Sequence, residues 1–286
     1  MKILITGANG YVGGGLMERL SRDGNTLVPI GFTPDYELKG IYSLDLTDFL
    51  KTNSYIKSVQ PDLILHLAGN KDVFKCESDK ALSRLINYET SKNIIKECFA
   101  QKIKLIYIST DYVFNGEAAP FNEQSQPNPN TQYGKDKLAT ENLIKKELLD
   151  YAIVRTAGIF GLKNDFVETV LKQVNMKNNF KAYTNLKNSP TFIKDLASML
   201  NIIISEKRTG TFHCAGSESI SRYGFALKVA KTFKFDGALI LPENIDLSDD
   251  LRPSDLSMDS SSSYKILNYQ PQGIEKILQS NRNIWA

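Results

Sequence analysis

The chain is poor in the residues that build metal sites and disulfide frameworks. Its three cysteines, Cys76, Cys98 and Cys214, have no metal-ligand spacing. So sparse and odd a set predicts reduced thiols in a cytoplasmic protein. The two histidines, His66 and His213, each sit inside an apolar run and read as satisfied core residues. No apolar stretch is long enough to span a bilayer. The N-terminus is one lysine followed by a strand-like run into glycines, unlike a signal peptide. No basic run argues for nucleic acid, because 35 basic and 32 acidic residues are spread along the chain for a net charge of +3. No internal repeat or linker appears, and the serine run at 260–263 is too short to be one. Metal, membrane and nucleic-acid roles therefore have no support.

What is present suits a globular α/β protein. At 286 residues, 42% hydrophobic and 23% charged, the chain can form one large domain with a smaller lobe. Short apolar runs recur at 3–5, 27–30, 63–67, 105–108, 152–154 and 211–213. Runs without alternation suit strands buried on both faces of a parallel sheet. Helical patterns lie between them at 12–22, 47–59 and 80–100, which predicts a doubly wound, Rossmann-type sheet. Pro29 is awkward within the second strand, since proline cannot donate to a central ladder. After Gly161 the pattern loosens. Residues 166–176, 193–205 and 221–233 read as helices, 185–190 as a loop, 210–215 as a strand, and the remainder as irregular chain. The expected division is a dinucleotide-binding domain over 1–161, rejoined near 191–215, and a mainly substrate-binding lobe over 162–286. A ligand held between them would lie at the carboxyl ends of the strands.

The first strand-to-helix turn reads Thr6-Gly7-Ala8-Asn9-Gly10-Tyr11-Val12-Gly13. Its glycines allow a tight turn and close backbone approach, and the helix N-terminus then offers free N–H groups to a pyrophosphate. Ala68 and Gly69, after the third long run, are further cofactor candidates. An acid normally ends the second strand and binds the adenosine ribose. Here that stretch reads Gly31-Phe32-Thr33-Pro34-Asp35, with no acid at the strand end. The gap leaves room for a 2′-phosphate and leans towards NADPH, with NADH as the alternative. Lys39 is the only nearby cation, and Asp45-Leu46 either borders the adenine or forms an ordinary turn.

Tyr133 and Lys137 are four residues apart, in a helix that Asn130 or Thr131 would cap. The ammonium is expected to lower the phenol pKa, giving a general acid for a reduced carbonyl oxygen. Thr110, beside Ser109 at a strand end, would donate a second hydrogen bond to that oxygen.

These segments resemble the extended short-chain dehydrogenase/reductase superfamily, and within it the dTDP-4-dehydrorhamnose reductase-like group. The likeness runs over nearly the whole chain. The glycine loop, Ser109-Thr-Asp-Tyr-Val-Phe-Asn-Gly116, Tyr133-Gly-Lys-Asp-Lys137, the segment from Ser189 to Ala197 and that from Arg252 to Asp259 carry it. The resemblance implies hydride transfer from NAD(P)H to C4 of a nucleotide-linked 4-keto-6-deoxy sugar. Thr110, Tyr133 and Lys137 would be catalytic. Asn87 would support the lysine, Asp111 and Tyr112 would line the sugar site, and Arg252 would lie near the diphosphate. A homodimer is compatible with the group.

Two departures touch substrate recognition. The group's Trp near the sugar is replaced within Arg155-Thr156-Ala157-Gly158, and its Asp-Gln-x-Gly loop reads Asn185-Leu186-Lys187-Asn188. The sugar or the base therefore stays open. Asp111-Tyr112 argues against a 4,6-dehydratase, which would want Asp-Glu there. A nucleotide-sugar epimerase and a non-catalytic NADP-binding regulatory subunit remain the alternatives.

Overall fold

The computed structural model describes residues 1–21, 24–32, 40–247 and 250–285. In chain order the elements are β1 (Lys2–Thr6), α1 (Tyr11–Leu20), β2 (Thr26–Gly31), β3 (Tyr42–Ser43), α2 (Phe49–Val59), β4 (Leu63–His66), α3 (Val73–Ser78), α4 (Lys80–Arg84), α5 (Thr90–Gln101), β5 (Lys104–Thr110), α6 (Gln132–Glu147) and β6 (Tyr151–Thr156). Then follow α7 (Phe166–Asn175), β7 (Phe180–Tyr183), β8 (Lys187–Asn188), α8 (Ile193–Ser205), β9 (Gly210–His213), β10 (Ile220–Ser221), α9 (Arg222–Phe233), β11 (Ile240–Glu243), β12 (Asp255–Leu256), α10 (Ser261–Ile266) and α11 (Ile274–Ser280).

The apolar runs become a seven-stranded sheet in the order β3-β2-β1-β4-β5-β6-β9, with every pair parallel. Period-two alternation distributes each run between two cores. Ile3, Ile5, Leu65, Ile106 and Val154 face a cluster filled by Leu16, Leu200, Val170 and Phe225 from α1, α8, α7 and α9. Leu4, Ile64, Leu105 and Ile153 face the other, filled by Ile56, Ile94 and Ile144 from α2, α5 and α6. Helices on both faces explain why the strands read as continuously apolar. This is a Rossmann-type, doubly wound α/β fold, with the topological switch between β1 and β4.

Pro29 pairs in register with Ile5, while β3 reaches only Ile30 and Gly31 of β2. The missing donor therefore falls where β2 has no partner on its outer side among the described residues. The expected helix over 80–100 runs on, but a π-helical turn at Leu85–Glu89 joins α4 to α5. The irregular C-terminal chain contains short pairings that periodicity cannot reveal at such lengths: β10-β8-β12 and β11-β7. One of these, β8, falls in the expected loop at 185–190.

Both histidines are buried. The ring of His66 is bonded to Thr6 Oγ1 (2.6 Å) and Ser91 Oγ (2.9 Å). That of His213 meets Arg155 Nη1 at 3.3 Å, and its Nδ1 has no partner. Cys76, Cys98 and Cys214 are free and buried. Among the described residues no cluster could hold a metal, and no helix is long and apolar enough to cross a membrane.

Candidate active site

A cavity of about 850 Å³ lies beyond the carboxyl ends of β1, β4, β5 and β6, under β7, Arg222 and Arg252. Its walls bring together Gly7, Gly10, Tyr11, Val12, Gly13, Gly69, Ser109, Thr110, Asp111, Tyr112, Tyr133, Lys137 and Arg252. This is the position at which open α/β sheets hold ligands.

Backbone dominates the end near β1. Gly7 has φ +66°, and a Cβ there would meet the Ala68 backbone at 2.8 Å. A Cβ on Gly13 would stand 2.3 Å from Gly7 O. Helix α1 has Gly10 at its N-cap and no side-chain cap. An uncapped helix start facing a cavity leaves donors free for an anion. The Tyr11 hydroxyl is buried without a partner, and burial raises its pKa above the usual phenol range. A glycine cradle, open N–H groups and an orphaned hydroxyl together fit a dinucleotide.

Four expected cofactor residues are not on the cavity wall. Asn9 Nδ2 donates to Phe32 O (3.1 Å), and the side chain fills the space over Gly31. Asp45 Oδ1 accepts from Thr47 N (2.9 Å) and Oγ1 (2.7 Å), so it stabilises the turn before α2, with Leu46 inside that turn. Ala68 supplies backbone under Gly7. Asp35 and Lys39 lie outside the described residues.

Tyr133 and Lys137 share one face of α6, which Thr131 caps by accepting from Gly134 N at 3.1 Å. Lys137 Nζ donates to Ile108 O (2.8 Å) and sits 4.4 Å from the centre of the Tyr107 ring. The expected lowering of the phenol pKa does not occur. Burial pushes Tyr133 well above the ordinary phenol range, opposed by the Thr110 hydroxyl. Burial also lowers Lys137 to about 8, opposed by Glu141. The reason is that burial of each group outweighs the opposing contribution of its neighbours, Thr110 for the phenol and Glu141 for the ammonium.

Thr110 Oγ1 donates to Asp111 Oδ1 (2.9 Å) and accepts from Tyr112 N (3.2 Å). The Asn87 side chain makes no hydrogen bond to Lys137 among the described residues, although both flank Gly69. It brackets Asn70 instead, accepting from Asn70 N (2.8 Å) and donating to Asn70 O (3.1 Å), which fixes the loop after β4. Behind Ser109 lies a buried network that no motif marks. Ser109 Oγ donates to Glu141 Oε1 (2.6 Å), and Arg155 Nη2 bonds Glu141 Oε2 (2.6 Å). Glu141 is one turn beyond Lys137, so this pair anchors α6 to β5 and β6.

At the other end the wall is charged. Arg252 forms a two-pronged pair with Asp250 (2.8 and 2.7 Å) and lies 5.1 Å from the Tyr183 ring centre. Arg222, which no motif marks, also lines the cavity, 4.9 Å from the centre of the Phe166 ring. Asp111 is buried, and burial raises its carboxyl to about 7. Burial raises Tyr112 to about 12, and its ring lies edge-on to Tyr133. Gly158, at the position of the group's aromatic, has φ +37°, and a Cβ there would meet Asn188 Nδ2 at 2.6 Å. The two departures from the group's pattern are thus packed on each other.

Residues 1–280 match the family described as RmlD substrate binding domain. A dTDP-4-dehydrorhamnose reductase from Clostridium acetobutylicum superposes with a TM-score of 0.89 at 30% identity, over 99% of each chain. The dTDP-4-dehydrorhamnose reductase of Bacillus anthracis in complex with NADP gives 0.85 at 26% identity, over 99% of this chain and 98% of that one. The spore coat polysaccharide biosynthesis protein SpsK of Bacillus subtilis is 30% identical, over 84% of this chain and 82% of its own. Methionine adenosyltransferase 2 subunit beta of Rattus norvegicus is also 30% identical, over 84% and 75%. The chain belongs to the RmlD substrate binding domain family.

Proposed function

We propose that this protein uses NADPH, with NADH as the alternative donor, to reduce the C4 keto group of a nucleotide-linked 4-keto-6-deoxy sugar. The observation that carries the reading is one cavity in which an uncapped, glycine-cradled helix start meets Thr110, Tyr133 and Lys137. The relatives named for dTDP-4-dehydrorhamnose reduction and spore coat polysaccharide support the sugar and a role in surface polysaccharide synthesis. Buried free thiols support a cytoplasmic setting. A homodimer is part of this reading.

Gly7, Gly10, Gly13 and the N–H groups of α1 hold the pyrophosphate, and Lys137 holds the nicotinamide ribose. The bound nicotinamide supplies the hydride. Tyr133 then gives its proton to the C4 oxygen. A raised phenol pKa keeps that proton in place until an alkoxide, a far stronger base than phenolate, develops. The Lys137 cation steadies the phenolate left behind. Thr110 has one hydroxyl hydrogen, which it donates to Asp111 while Asp111 is ionised. Protonated Asp111 reverses that bond, and the Thr110 hydrogen becomes available to the C4 oxygen.

The test is NADPH consumption with dTDP-4-keto-6-deoxy sugars, beside Tyr133→Phe. Turnover by the wild type that falls by about 100-fold or more in the variant is the expected result. NADPH binding without turnover on any such sugar would instead favour a regulatory subunit, the second reading, which rests on the likeness to the methionine adenosyltransferase subunit.

A further inference from the structure

Two groups of opposite charge, Asp111 and Arg222, line the cavity and share no salt bridge. Asp111 Oδ1 is taken by the Thr110 hydroxyl, but Oδ2 is buried and has no partner. Leaving such an oxygen unsatisfied is costly, and buried polar atoms of this kind mark a place for something else. The Arg222 guanidinium is close enough to feel the charge of Asp111 and Tyr112. It nonetheless forms no salt bridge and no side-chain hydrogen bond among the described residues, and rests over Phe166. Arg252 differs, because Asp250 already satisfies it. The gap between Asp111 and Arg222 therefore asks for one group that is donor and acceptor at once. A hydroxyl has both capacities; a phosphate oxygen, a methyl group and a ketone do not.

We propose that Asp111 and Arg222 together recognise a single sugar hydroxyl, on the carbon next to the carbonyl. This rests on the reading of the cavity as a 4-keto sugar site. The hydroxyl donates to Asp111 Oδ2 and accepts from Arg222. Its place follows from Thr110, which serves the carbonyl oxygen and touches Asp111 at 2.9 Å. In a 4-keto-6-deoxy sugar, C5 carries the methyl group, so the hydroxyl-bearing neighbour of C4 is C3. The pair is a specificity device that selects sugars retaining the C3 hydroxyl and rejects 3-deoxy sugars, whose binding would leave both groups unpaired. Either protonation state of Asp111 leaves Oδ2 free to accept.

The test compares dTDP-4-keto-6-deoxyglucose with its 3-deoxy counterpart, by kcat/KM and by calorimetric binding in the presence of NADP. Wild type is expected to favour the 3-hydroxy sugar by about 100-fold or more, since sites built for a hydroxyl reject analogues that lack it. Arg222→Met should bring that ratio below about tenfold mainly by losing the 3-hydroxy sugar, and Arg222→Lys should keep part of it. Circular dichroism checks that the variants fold. Equal handling of the two sugars by wild type would overturn the proposal. So would equal loss of both in Arg222→Met, which would assign Arg222 to the diphosphate. Binding of neither sugar would instead overturn the reading of the cavity as a nucleotide-sugar site, and this proposal with it.

Discussion

At the cofactor end of the cavity the wall is backbone: Gly7, Gly10, Gly13 and the open start of α1, contributed by one short stretch. At the opposite end it is charged side chains, Asp111, Arg222 and Arg252, carried by segments far apart in the chain. A backbone wall recognises what every dinucleotide shares and tolerates almost no added atom. A wall of side chains can be retuned one residue at a time without disturbing the sheet. The middle, where Tyr133 and Lys137 lie, depends on neither but on the seating of α6, which Glu141 and Arg155 fix from behind.

The centre is the most sensitive of the three regions. Tyr133→Phe should lower kcat by about 100-fold or more while NADPH affinity holds, the size of a general acid's contribution. Stopped-flow hydride transfer and equilibrium binding separate the two effects. Next comes the cofactor wall. Gly13→Ala places a Cβ 2.3 Å from Gly7 O. Overpacking of about 1–3 kcal/mol corresponds to a loss of NADPH affinity of roughly fivefold to 150-fold, read by fluorescence titration. At the substrate wall, Arg252→Met should raise KM by about tenfold with a smaller change in kcat, as expected for a group that binds ground state and transition state alike.

The smallest effect is in pH. Asp111 titrates near 7 because burial disfavours its charge. On the mechanism above, kcat/KM falls as pH rises through about 7, when ionised Asp111 takes the Thr110 hydrogen. Of the groups around it, Lys137 lies at about 8 and Tyr112 at about 12, burial holds Tyr133 above the phenol range and lowers Arg222, and Asp250 raises Arg252. Asp111→Asn should move the fall towards the lysine. For stability, the folded state holds the Asp111 proton more tightly than the unfolded chain between the ordinary carboxylate value and about 7. Stability is therefore lost as pH rises through that window. Asp111→Asn should raise the urea midpoint at pH 8 and leave it unchanged at pH 3.

Much of this was legible in the sequence, and particular residues show why. Strands buried on both faces write themselves as apolar runs, so β1, β4 and β5 could be read directly, and a glycine that no other residue can replace marks its turn. Tyr133 and Lys137 declare a shared helix face through their spacing. Arg222 declares nothing, because its meaning depends on Asp111 across a cavity formed only when α9 packs beside β7. The raised pKa of Tyr133 has the same origin: the pair is visible in sequence, but the burial around it is not. Asn9 looked like a cofactor ligand until the fold placed it over Gly31.

The most direct test uses NADPH deuterated at the transferable position of the nicotinamide, followed by mass spectrometry and NMR of the recovered dTDP-sugar. One deuterium at C4 of the product and stoichiometric loss of NADPH are expected. A sugar recovered without deuterium, whether unchanged or epimerised, would contradict hydride transfer from the cofactor to C4.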